Sequence, residues 1–215
     1  MDGLKYIAVE GPIGVGKTSF TKMLAEDLKA RLILEEASEN PFLGLFYENP
    51  TQYAFQAQIF FLLSRYRQQN ELKQQDLFQQ KTVCDYIFAK DQIFASMNLS
   101  PEEMDLYDKI YQLLDARLPK PDLVIFLQAD PDILLNRVKK RKIAYEKGLK
   151  GDYLDGLSQA YSRFFFKYTD TPLLVVNTSG IDFVKNQKDY ETIKKELYDM
   201  IKEGKEKHYV TIDSR

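Results

Sequence analysis

The segment Gly11-Pro12-Ile13-Gly14-Val15-Gly16-Lys17-Thr18 constrains this chain more than any other eight residues. A glycine, four residues and then Gly-Lys-Thr is the Walker A pattern. It follows an apolar run, Tyr6 to Val9, and opens an amphipathic stretch with the stripe Phe20, Met23, Leu24 and Leu28. A chance match lacks that passage from strand through turn to helix. The glycines let the backbone wrap closely and turn its N–H groups toward phosphate oxygens. The helix N-terminus adds partial positive charge, Lys17 reaches the β and γ phosphates, and the Thr18 hydroxyl meets Mg²⁺. The expected ligand is a nucleoside triphosphate with magnesium.

Four more short apolar runs recur: Leu32 to Leu34, Thr82 to Cys84, Leu123 to Leu127 and Leu173 to Val176. They lack the alternation of a half-exposed strand, so they read as buried strands of a parallel sheet. Helical patterns separate them. Residues from Thr51 to about Lys73 contain no Gly or Pro, and Ser100-Pro101-Glu102-Glu103 joins a capping box to a proline at the first helical position. Further helices start at Asp130-Pro131, near Tyr153 and near Tyr190. The alternation predicts an α/β fold, a five-stranded parallel sheet flanked by helices, with ligands at the C-terminal ends of the strands. No linker-like or repetitive stretch divides residues 1–215, which read as a single domain.

A formal net charge of −2 gives no global field toward nucleic acid or an anionic membrane. Neither a signal peptide nor an 18-residue apolar run is present, which predicts a soluble cytoplasmic protein. Cys84 is the only cysteine and His208 the only histidine. An intrachain disulfide, a cysteine-cluster zinc site and a histidine-based triad are therefore excluded. A GTPase would carry Asp-x-x-Gly and Asn-Lys-x-Asp motifs, and the chain has neither. Small-molecule kinases remain.

Within that class the chain resembles the deoxyribonucleoside kinases that phosphorylate deoxycytidine, deoxyadenosine and deoxyguanosine, from the phosphate loop to about Phe183. The resemblance rests on Glu35-Glu36-Ala37, on Phe46-Tyr47-Glu48-Asn49-Pro50 with Gln58 and Ser64-Arg65, and on Asp85 to Asp91. The basic run Arg137 to Lys142 and Ile181-Asp182-Phe183 complete it. It implies that Glu36 is the general base for the 5′-hydroxyl and that Tyr47 and Glu146 contact the 3′-hydroxyl. Gln58, Arg65 and Asp91 would read the base, and Asp85 would join Thr18 at the magnesium. Arg137 and Arg141 would lie in a lid at about 137–147 that closes over the phosphates, with Asp182 and Phe183 covering the adenine of ATP. It also implies a homodimer formed through exposed apolar helices.

Three positions depart from the family pattern. Tyr86 and Ile87 stand where an arginine and a serine are expected, and Ile143 stands where the lid has a second arginine. On a helix running on from Asp85, Lys90 lies one turn beyond Tyr86 and can supply the missing charge; an ordinary surface lysine is the alternative. The nearest rival reading is a nucleoside monophosphate kinase of the thymidylate type, and Tyr86 counts against it. A regulatory nucleotide-binding subunit is the third.

Overall fold

The computed structural model describes residues 4–75, 81–115, 117–141, 143, 146 and 149–213. Its centre is a parallel sheet with strand order β2-β3-β1-β4-β5-β6. The strands are β1 (Tyr6–Glu10), β2 (Arg31–Ile33), β3 (Thr82–Cys84), β4 (Leu123–Gln128), β5 (Leu173–Gly180) and β6 (Lys207–Asp213). The first five fall on the predicted apolar runs. The sixth corrects the expected count of five. Lys207–Asp213 mixes polar and apolar residues at one edge of the sheet, parallel to β5, and a search for wholly apolar runs passes over it.

Period-two alternation divides the core. Ile7, Val9, Ile125 and Leu127 face α1 (Lys17–Asp27) and α8 (Gln187–Glu203), where Phe20, Leu24, Tyr190 and Leu197 are buried. Ala8, Val124, Phe126 and Val175 face the other way, onto Tyr161 and Phe165 of α7 (Gly151–Lys167) and Ile93 of α4 (Lys90–Asn98). Two shorter clusters gather α2 (Leu43–Glu48), α3 (Pro50–Gln75) and α5 (Pro101–Asp115). The expected capping box starts α5: Ser100 N donates to Glu103 Oε2 at 2.9 Å, and Glu103 N to Ser100 Oγ at 3.3 Å. Helix α6 (Pro131–Arg141) begins at the predicted proline.

Strand β1 is the switch point, with β3 on one side and β4 on the other. The turns leaving β1, β2 and β3 therefore open on the same crevice. The chain after Asp85 is not helical at once. Lys90 N bonds Ile87 O at 3.1 Å and Asp91 N bonds Phe88 O at 3.2 Å, tight turns that delay α4 until Lys90.

Candidate active site

Gly11 and Gly16 are fixed by geometry. Gly11 has φ 152°, and a Cβ on it would lie 2.2 Å from Leu127 O. Gly16 has φ 102°, and its Cβ would meet the Phe183 ring at 2.8 Å. The loop they shape delivers Lys17 and Thr18 to a cavity of about 880 Å³. Lys17 Nζ donates to Gly11 O at 2.6 Å and Pro12 O at 3.2 Å. Burial, with the nearby Lys90 ammonium, lowers its pKa to about 8. Thr18 Oγ1 donates to Asp85 Oδ2 at 2.8 Å, while Glu35 N donates to Asp85 Oδ1 at 2.7 Å. Burial and the Glu35 charge raise the Asp85 pKa.

The second position of the Glu-Glu pair faces solvent. Successive residues leaving β2 point to opposite sides, so Glu35 turns inward and Glu36 outward. Glu35 Oε1 accepts from Arg65 Nε at 2.9 Å and from Arg65 Nη2, and its Oε2 accepts from Lys90 Nζ at 2.6 Å. Burial pushes its carboxyl up, but the Lys90 ammonium and the Arg65 guanidinium outweigh that and hold it well below the usual carboxylate range. Lys90 is no surface lysine, at 4% exposed. Tyr86, by contrast, turns from the cavity and donates to Gln68 Oε1 at 2.7 Å.

Arg65 and Asp91 do pair, but Asp91 lies behind the arginine rather than on the cavity wall. Its Oδ1 accepts from Arg65 Nη1 and its Oδ2 from the Tyr107 hydroxyl at 2.9 Å. Each carboxylate oxygen thus accepts one hydrogen bond, and the side chain is fully buried. Gln58 donates to the Asp91 carbonyl at 3.0 Å. Gln58, Arg65, Tyr47 and Phe61 line the cavity, and the Phe61 ring lies 5.0 Å from the Arg65 guanidinium carbon.

The basic residues differ in use. Arg137 Nη1 donates to Val15 O at 3.2 Å, and its Nη2 to Thr178 O at 3.3 Å and Ile181 O at 3.0 Å, so it braces the phosphate loop. Arg141 donates to Glu146 Oε1 at 2.7 Å; both line the cavity. Glu146 Oε2 has no hydrogen-bond partner among the described residues. Within the lid, Lys142, 144–145 and 147 lie outside the described residues. Asp182 and Phe183 both line the cavity; Phe183 is largely buried, edge-on to Phe20 at 5.6 Å. Neither Glu35 nor Tyr107 has a role assigned from the sequence, and strand-end alternation was the available signal for Glu35.

One wall thus carries phosphate-loop groups, the other a polar pair in an apolar slot, and Glu35 stands between them. The family described as deoxynucleoside kinase matches residues 7–202. A deoxyguanosine kinase of Bacillus subtilis (strain 168) is 36% identical over 206 residues, covering 94% of this chain and 100% of that one. A deoxyadenosine kinase of Lactobacillus acidophilus (strain ATCC 700396 / NCK56 / N2 / NCFM) is 30% identical over 93% of this chain and 98% of its own. The solved deoxyadenosine kinase of M. mycoides with bound dATP superposes with a TM-score of 0.77 at 24% identity, covering 89% of this chain and 98% of that one. With a match that spans most of its length, this chain belongs to the deoxynucleoside kinase family.

Proposed function

We propose that this protein transfers the γ-phosphoryl group of ATP to the 5′-hydroxyl of a deoxynucleoside, with deoxyguanosine preferred. The observation that carries the reading is Glu35, an inward carboxylate held ionised between the phosphate side and the base side of one cavity. An ionised carboxylate accepts the hydroxyl hydrogen and takes the proton as the new P–O bond forms. In a loose transition state little bond to the nucleophile has formed, so a weak base suffices. A monophosphate acceptor would bring negative charge against Glu35, which disfavours the thymidylate-type alternative.

Lys17 and Lys90 supply positive charge at the two sides of the transferring group. Thr18 and Asp85 suit a hard cation, since a hydroxyl and a carboxylate oxygen already lie 2.8 Å apart. Bound there with the triphosphate, Mg²⁺ would neutralise charge on the β and γ oxygens. Arg141 is placed to exchange Glu146 for phosphate when the lid at about 137–147 closes, leaving Glu146 for the sugar hydroxyl. Residues 1–215 are read as one cytoplasmic domain.

The base preference rests on Arg65. Three of its five N–H donors are engaged. The remaining donors suit the two acceptors, O6 and N7, on one edge of guanine, whereas adenine offers a donor and an acceptor there. Asp91 is fully buried behind Arg65 and off the cavity wall, so an exocyclic amine in the cavity meets Arg65 and Gln58 first. We also read the exposed Leu63, Leu106 and Leu113 of α3 and α5 as a homodimer face. A panel of four deoxynucleosides with ATP and Mg²⁺, compared by kcat/KM, tests the function. Deoxyguanosine should lead, and turnover of monophosphates alone would overturn the reading.

A further inference from the structure

Glu10 ends β1 in the middle of the sheet, is 0% exposed and is not on the cavity wall. A carboxylate is costly to bury there unless its oxygens are met by donors. Three meet it. Oε1 accepts from Ile87 N at 2.9 Å; Oε2 accepts from Gly11 N at 3.0 Å and from the Tyr161 hydroxyl at 3.2 Å.

The two main-chain donors belong to the two loops that carry the phosphate-side chemistry. Gly11 opens the phosphate loop, and its own carbonyl receives the Lys17 ammonium at 2.6 Å. Ile87 lies two residues after Asp85 and three before Lys90. Strand pairing between β1 and β3 ends at Ala8 and Cys84. Beyond that point side chains must hold the loops in register, and Glu10 bridges them with a single carboxylate. Burial pushes the Glu10 pKa up, while the Lys90 and Lys17 ammoniums pull it down.

We propose that Glu10 is a positioning residue for phosphoryl transfer, whose carboxylate sets the spacing between the phosphate loop and the segment bearing Asp85 and Lys90. An apolar side chain could fill the same space, but it would leave two buried N–H groups unmet. The role differs from simple core stability because it predicts a defect in the chemical step with nucleoside binding intact. The nucleoside-side residues Tyr47, Gln58, Phe61 and Arg65 stand on α2 and α3, and none of the Glu10 hydrogen bonds goes to either helix.

Two variants test this, each assayed beside the wild type at saturating ATP–Mg²⁺ and deoxyguanosine, with the folded fraction set by circular dichroism. Glu10→Gln keeps the shape but turns an amide NH₂ against an N–H or O–H donor, releasing at least one loop. Glu10→Asp keeps the charge but is a methylene shorter, so it reaches one loop and not both. Each should lower kcat by on the order of 10–10²-fold, the usual cost of a small misplacement remote from the chemistry. The KM for deoxyguanosine should stay within about twofold, the mark of an interaction felt only in the transition state. Tyr161→Phe, which removes only the α7 donor, should leave kcat within about twofold of wild type. Should Glu10→Gln fail to fold, Glu10→Asp decides alone. Wild-type kcat in either folded variant overturns the proposal, as does a KM that rises in step with the loss of kcat. A Tyr161→Phe variant as impaired as the others also overturns it.

Discussion

Lys90 Nζ meets Glu35 Oε2 at 2.6 Å inside the cavity, so the first residue of α4 and the last turn out of β2 share one buried ion pair. A lysine ammonium at 4% exposure needs a reason to be there. On this account it steadies the base and offsets charge on the transferring group. Removing one such stabilising donor costs about 10²–10³-fold in kcat. Lys90→Ala should fall in that range, with a smaller change in KM, by steady-state kinetics. Tyr86→Arg in that background should restore nothing, because Tyr86 is buried against Gln68 and not on the cavity.

Tyr107 is expected to sharpen base choice from a distance. Its hydroxyl occupies Asp91 Oδ2, which keeps Asp91 turned to Arg65 and away from the base. Tyr107→Phe frees that oxygen. A hydrogen bond to a charged group contributes about 1.5–3 kcal/mol, so thermal stability should drop correspondingly. The kcat/KM ratio of deoxyguanosine to deoxyadenosine should shrink by roughly 2–10-fold, the worth of one ordinary hydrogen bond. An unchanged ratio would leave Asp91 a purely structural partner.

Leu106 and Leu113 are 50% and 67% exposed and stand seven residues apart on the same face of α5. If that face pairs two copies, Leu113→Glu places a charge in an apolar contact and should shift the mass in light scattering from two chains to one. A wild-type chain that is already monomeric at micromolar concentration would remove the dimer.

The fold was legible because the buried strands are continuous apolar runs and the phosphate loop marks the switch between them. Strand β6 was not, since its mixed polar and apolar residues give no run. At the site, Lys17 and Thr18 could be placed from the phosphate loop alone, and Asp85, named by the family resemblance, accepts from the Thr18 hydroxyl. Glu35 could not be chosen over Glu36 until the chain's direction out of β2 was known, because one residue of register reverses which side faces the cavity. Arg65 and Asp91 could be named together from the sequence, but only tertiary packing shows that they pair and that Tyr107 also donates to the Asp91 carboxylate. Lys90 came forward by helical spacing from Tyr86, and the helix in fact begins at Lys90 itself.

Glu35, and not its neighbour Glu36, is the base proposed for the 5′-hydroxyl. Glu35→Gln and Glu36→Gln should be compared in one steady-state experiment with deoxyguanosine and ATP–Mg²⁺, each checked for an intact fold. Glu35→Gln should lose about 10²–10⁴-fold in kcat, the usual worth of general base catalysis. Glu36 faces solvent, and its replacement should leave kcat near wild type. Near-wild-type turnover by Glu35→Gln, or an equal loss in Glu36→Gln, would contradict the account.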